Sequence, residues 1–247
     1  AEEPGIGAAQ GKLFQISPEG FLAEAPERRL LDSAGHVARP SRMVVDRGQG
    51  ARDAPAFGRE RSVFSATGAA LFLRRAMLDD IAIGDAPFDP AFFAYKEDID
   101  LCWRARLHGW DVRYVPSAVG HHVRAMPGGD RGAWRSLPAA ARRHSWKNHY
   151  LMVLKNDRVR DLLRSLPSVL AWEAGRLGFA IARDPALLRA YLDLARLAPG
   201  ALRARRRILD TARRRGVELH AWFGRDSVPA GLAAVAPGPR PIPPGGP

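Results

Sequence analysis

Three acids in four residues, Glu97, Asp98 and Asp100, follow an aromatic run of Phe88, Phe92, Phe93 and Tyr95. A helix is expected to start at the acids, because Ile99, Trp103 and Leu107 recur at i, i+4 and i+8. Gly109 stands where a helix-ending glycine belongs. Val112 to Val115 reads as a strand that Pro116 closes, and a second short strand is expected to carry His121 and His122. Carboxylates in the first turn of a helix are held in their charged form by the dipole. One so placed is a candidate general base for a hydroxyl. Aromatic faces beside it suit the apolar faces of sugar rings, and a nearby histidine can help to hold a divalent cation. A competing reading needs no chemistry. In it the acids cap and solubilise the helix, and Asp100 pairs with Arg104 at i+4.

The elements around this segment read as follows. A buried strand is expected over 8–16, with K-L-F-Q-I at its end. The stretch 19–58 is irregular, with short strands and glycine turns. Its Gly48-x-Gly50 lacks the strand-to-helix setting that a phosphate cradle requires, so a surface loop is expected there. Residues 62–75 read as strand, small-residue turn, then strand or buried segment, and Thr67, Gly68 and Ala69 would either let a ligand come close to the backbone or form a tight packing corner. After His122 come a loop over 126–130, a helix over 134–156 and a helix over 162–181. Pro185 opens a further helix, and 203–215 follows as a basic amphipathic stretch. There Leu202, Leu209 and Ala212, widened by Ile208, form a stripe flanked by arginines, as in a helix lying on a membrane surface. A solvated face and a nucleic-acid patch are the alternatives.

Composition narrows the choice. The 247 residues are 46% apolar, enough for a sizeable core. Thirty-eight Lys and Arg against 26 Asp and Glu give a net charge of +12, which favours an anionic partner. No helix-turn-helix, zinc-finger or aromatic RNA-binding signature accompanies the charge, so no nucleic-acid partner is expected. The lone Cys102 excludes an intrachain disulfide, suits a reducing compartment and is expected to be buried. No signal peptide is visible, and no run of eighteen uncharged apolar residues predicts a membrane span.

The run Y-K-E-D-I-D-L-C-W-R-A-R-L-H-G-W-D-V-R-Y-V-P closely resembles the acceptor-side motif of family 2 glycosyltransferases. It is most similar to bacterial rhamnosyltransferase-type members that build cell-envelope polysaccharides. Their landmarks are a glycine, F-D-x-x-F-F-x-Y-x-E-D-x-D, an Arg, G-W or G-Y, V-P and a His, and all lie between Gly84 and His122. Looser likenesses are L-D-S-x-G at 31–35, D-R-G-x-G-x-x-D at 46–53, T-G-A-x-x-x-x-R-R at 67–75, where Thr67 stands for the family's Ser, and W-K-N-H-Y, where Lys147 replaces the family's Arg. That replacement weakens any bidentate phosphate contact.

The resemblance implies an α/β fold, part of a GT-A domain with a mixed sheet, followed by helices. It implies an acceptor-side part over 1–125, an amphipathic helical region over 126–225 and a disordered Pro/Gly tail over 226–247. It makes Asp98 the catalytic base of an inverting transfer. Glu97, Gly68, Ala69, Tyr95 and Arg104 become substrate-binding residues, and His122, with His121 as competitor, a metal ligand. Asp98-Ile99-Asp100 is itself a D-x-D, but it opens a helix, whereas the family's donor D-x-D ends a strand. The donor-binding half has no counterpart from Ala1 onward, so the resemblance implies a fragment inactive alone; the alternative is a non-catalytic fragment that binds acceptor or membrane without a donor site. The implied cofactor is Mg or Mn, held mostly by that half. The implied partners are a nucleotide-sugar donor, a lipid-linked or polysaccharide acceptor and an anionic membrane surface, at the inner face of the plasma membrane in the cytoplasm.

Overall fold

The computed structural model describes residues 3–16, 29–84, 86–123, 134 and 137–224. Its centre is a mixed sheet. β1 (Ile6–Gln15) pairs in parallel with β7 (Asp111–His122). On its other edge β1 meets β6 (Leu71–Leu73) with its first half and β2 (Leu31–Ser33) with its second, both antiparallel. β5 (Arg61–Ser62) closes the far side of β7. A separate hairpin joins β3 (His36–Ala38) and β4 (Val44–Asp46).

β7 departs from the expected pair of strands. It runs unbroken through Pro116, because the three residues 116–118 bulge out between the pairings Gly11 with Val115 and Lys12 with Val119. Proline is tolerated in such a bulge because no ladder donor is needed there. Gly11 makes the bulge possible: a Cβ on it would lie 2.2 Å from the Ala118 carbonyl oxygen.

α1 (Arg75–Ile81) and α2 (Glu97–Leu107) cover the sheet. α2 is where the acid-rich segment was expected to turn helical, and Gly109 follows it with φ +89°. The stripe Ile99, Trp103, Leu107 is buried, as its periodicity requires. Yet α2 is enclosed on a second side too. Leu101, Cys102 and Ala105 pack with Ala8, Val112 and Tyr114 of the sheet. Ile99, Trp103 and Leu107 pack with the C-terminal helices. A helix between two layers is buried all round. Burial pushes the Cys102 thiol up to about 12, so it is inert at neutral pH.

The C-terminal helices are α3 (Ala139–Asn156), α4 (Val159–Arg164), α5 (Leu166–Arg183) and α6 (Arg189–Arg214). Trp134 is itself helical, α3 begins after Pro138, and Ser165 parts α4 from α5. Leu151, Met152, Ile208, Ala212, Trp222 and Phe223 join Phe64 and Trp103 in one core. The described C-terminal helices therefore share a core with residues of the sheet region and α2. The chain is α/β, a mixed sheet followed by helices, in keeping with a partial GT-A arrangement. Residues 126–130 and 226–247, read as a loop and a tail, lie outside the described residues.

The basic stretch on α6 needs correction. Its stripe does not face a membrane: Ile208 and Ala212 are buried, Leu209 packs against the core, and only Leu202 is exposed. Arg205 donates to the Leu154 carbonyl at 2.8 Å, and Arg215 pairs with Asp80 at 2.7 Å. The stripe is amphipathic because it completes this protein's own core. No described helix is long and apolar enough to cross a membrane.

Candidate active site

The acids are presented by a loop in an unusual conformation. Phe93, Tyr95 and Lys96 all have positive φ, between 62° and 71°. Non-glycine residues reach this region only where the surroundings impose it. Here Asn148 of α3 imposes it, since its Nδ2 donates to the carbonyls of Phe92, Ala94 and Tyr95 at 2.9, 2.8 and 2.7 Å. Lys147, next to it, donates to the Ala91 carbonyl at 2.6 Å. Asn148→Ala would leave three carbonyls of a strained loop without their donor. It is expected to cost about 1–3 kcal/mol of stability, which urea unfolding would show.

The three acids then diverge. Asp98 lies in the first turn of α2. Its Oδ2 accepts from the Gly68 amide at 2.7 Å and its Oδ1 from the Ile99 amide at 2.7 Å. It is partly exposed, beside the exposed Gly68 and Ala69. It thus accepts from two backbone amides while part of it stays open to solvent. Glu97 is half-buried, and its Oε2 is buried without a hydrogen-bond partner. Desolvation first, and then the charge of Asp98, raises its pKa above the ordinary carboxylate value. Lys96 before it is pushed down to about 8 by desolvation and by Arg176, although part of the residue reaches solvent.

Asp100 is fully buried. It accepts from Lys155 Nζ at 2.8 Å, Asn156 Nδ2 at 2.7 Å and Arg104 Nε at 3.1 Å. Burial acts to raise its pKa, but Lys155 and Arg104 outweigh this and hold it below the usual range. Lys155 also reaches Asp89 at 2.7 Å. The pairing of Asp100 with Arg104 at i+4 is present, as the competing reading foresaw. Arg104 itself is buried, and its two Nη atoms donate to the Ile81 and Pro87 carbonyls at 2.6 Å. Its contacts place it as a support of the loop.

The aromatic residues do not form one patch. Phe92 is buried in the core beside Lys155, while Phe93 is 82% exposed with its ring 5.2 Å from that of His144. Tyr95 is half-buried and Phe88 exposed.

The histidines lie at the end of β7, beside Phe14 and Gln15 of β1. His121 is exposed and stacks on Phe14. His122 Nδ1 is held by the buried Asp32 of β2 at 2.9 Å. A carboxylate so placed fixes the ring and leaves the other nitrogen for a ligand, as in many metal-binding histidines. Among the described residues, however, no three such side chains converge on a cation. Polar contacts link the two ends of the site. Ser33, next to Asp32, accepts from Gln10 Nε2 at 3.0 Å, and Gln10 Oε1 accepts from the Thr67 amide at 2.7 Å, one residue before Gly68.

Sequence reasoning missed Asn148, Lys155 and Asp32. Asp32 and Asn148 sat in motifs already in view and Lys155 in an expected helix, but their contacts are distant in the chain. The loop of residues 46–53 carries positive φ at Gly48 and Gly50, and Asp53 is clamped by Lys12 at 2.7 Å. A cleft of about 900 Å³ opens beside it, lined by Arg39, Arg47 and Arg61 among others, but neither Asp98 nor His122 borders it.

No curated protein and no solved structure matches the chain. Residues 32–159 match the family described as Glycosyltransferase like family 2, which takes in Asp32, the acid loop, α2, β7 and the Asn148 clamp. That match covers more than half of the 247 residues, and the chain belongs to the glycosyltransferase-like family 2.

Proposed function

We propose that the chain carries the acceptor side of an inverting glycosyltransferase, similar to the rhamnosyltransferase type. It moves a sugar from a nucleotide-sugar to a hydroxyl of a lipid-linked or polysaccharide acceptor. The observation that carries this reading is Asp98, a part-exposed carboxylate fixed by two amides at a helix start, inside the matched family region. In the proposed mechanism the acceptor hydroxyl is drawn to Asp98, which takes its proton as the oxygen attacks the anomeric carbon. Gly68 and Ala69 line the approach, and Glu97 and Tyr95 contact the acceptor. Arg104 acts as a positioning residue behind the loop. A divalent cation, Mg or Mn, would be held in part by His122, itself fixed by Asp32, and would supply charge stabilisation to the diphosphate of the donor. The net charge of +12 suits work at the anionic inner face of the plasma membrane, on the cytoplasmic side.

The test is transfer from a panel of nucleotide-sugars to lipid-diphosphate-linked acceptors, with the anomeric configuration of the product read by NMR. Inversion is expected. His122→Ala is expected to raise the cation concentration for half-maximal rate by about tenfold or more. Retention of configuration would refute the mechanism, and an unchanged cation requirement would remove His122 from the metal.

A further inference from the structure

α5 carries an unusual outer face. From Ser165 to Ala182 no charged residue is exposed. Glu173 and Arg176, the two charges in that stretch, turn inward. Glu173 accepts from the Tyr150 hydroxyl at 2.5 Å and pairs with His149 at 3.2 Å, and the Arg176 guanidinium lies 4.0 Å from the Trp146 ring centre. Outward stand Leu166, Leu170, Leu177 and Ile181, between 36% and 59% exposed, in the spacing of one helical stripe. Alanines and glycines, with Pro167 and Ser168 near its start, fill the rest of the outer surface. An 18-residue helix is about 27 Å long. A row of large apolar side chains of that length is rarely left to water.

What covers the face is indicated by the charges at its ends. Arg164 precedes it, and Arg183 and Arg189 follow it, all three exposed. The acids at those ends are not offered outward: Asp161 is buried, and Asp184 pairs with Arg142 at 2.8 Å. A second copy docking through this face would set arginines against arginines in either helix direction. A phospholipid surface supplies what the face lacks, with acyl chains for the leucines and phosphates for the arginines. We infer that α5 is a monotopic membrane seat. It lies flat at the boundary of headgroups and acyl chains with its leucines inserted. α3 ties it to the site, because Tyr150 and His149 hold α5 while the adjacent Asn148 holds the acid loop. The inference rests on the reading above only in taking the acceptor to be borne by lipid.

Vesicle flotation of the full chain tests it, with phosphatidylcholine alone and with phosphatidylcholine plus phosphatidylglycerol. Binding is expected to the mixed vesicles and less to the neutral ones. Leu170→Glu with Leu177→Glu changes two exposed side chains, so thermal unfolding should stay the same while vesicle affinity falls at least about tenfold. Arg206→Gln with Arg207→Gln on α6 should keep most of the binding. Asp98→Asn should float like the unaltered protein, so failure of the catalytic reading and failure of this one are told apart. Unchanged flotation of the double glutamate variant would overturn the inference. So would absence of vesicle binding, and a dimer in gel filtration that the same variant dissolves would then assign the face to a second copy.

Discussion

Asp98→Asn in the natural enzyme is expected to lower turnover at least about a hundredfold, the scale of a general base's contribution. The amide keeps the shape of the carboxylate and can still accept the Gly68 N–H through its oxygen. It cannot take the acceptor's proton. KM for the nucleotide-sugar should therefore hardly move while kcat falls, the pattern of an interaction made in the transition state. Near-normal turnover would sink the assignment. The base would then be sought in Glu97, whose raised pKa and buried, unpartnered oxygen make it the neighbouring candidate. Glu97→Gln run alongside separates the two.

The largest expected effect on stability belongs to Lys155. Its ammonium lies between Asp100 at 2.8 Å and Asp89 at 2.7 Å, over the face of Phe92. Lys155→Met keeps much of the volume and removes the charge. It leaves a fully buried carboxylate with two partners in place of three, and breaking a buried pair from one side costs about 3–5 kcal/mol. Urea unfolding should show that loss, and a cost under about 1 kcal/mol would mean that Asp100 is not held as described. Adding Asp100→Asn should return part of it, because the two changes act on one interaction and are not additive. The pH dependence has a definite sign. The folded pKa of Asp100 lies below its unfolded value of about 3.9, so its contribution is present above about pH 4 and is lost as pH falls through the lower folded value. In Lys155→Met the acid-unfolding midpoint should move to higher pH.

Much of the site was legible in the sequence because it is local. The start of α2, the acids in its first turn and the glycine after it are fixed by spacing within a dozen residues. The roles of the acids were not legible. Glu97, Asp98 and Asp100 look alike in a string of letters, and they differ because Lys155 and Asn156 arrive at one of them from 55 and 56 residues away. The aromatic run read as one patch for the same reason: alternation along a strained loop sends Phe92 inward and Phe93 outward. Pro116 read as a stop, since the Gly11 that accommodates the bulge lies on another strand. Periodicity found an apolar stripe on α6 correctly but could not say what covers it. The stripe proved to be core, while the less conspicuous α5 carries the uncovered one.

The enclosure of α2 between two layers has a consequence for synthesis. The ribosome releases the sheet strands and the acid helix first. At that stage Asp100 has met neither Lys155 nor Asn156, and Trp103 and Phe64 have no Ile208, Trp222 or Phe223 to cover them. The half-made chain thus holds an unpaired acid and bare aromatic rings that only later residues can enclose. At ordinary elongation rates the wait lasts on the order of ten seconds. The acid helix can consolidate only after α6 has emerged, so the nascent chain passes through a stage in which holding factors have apolar surface to bind.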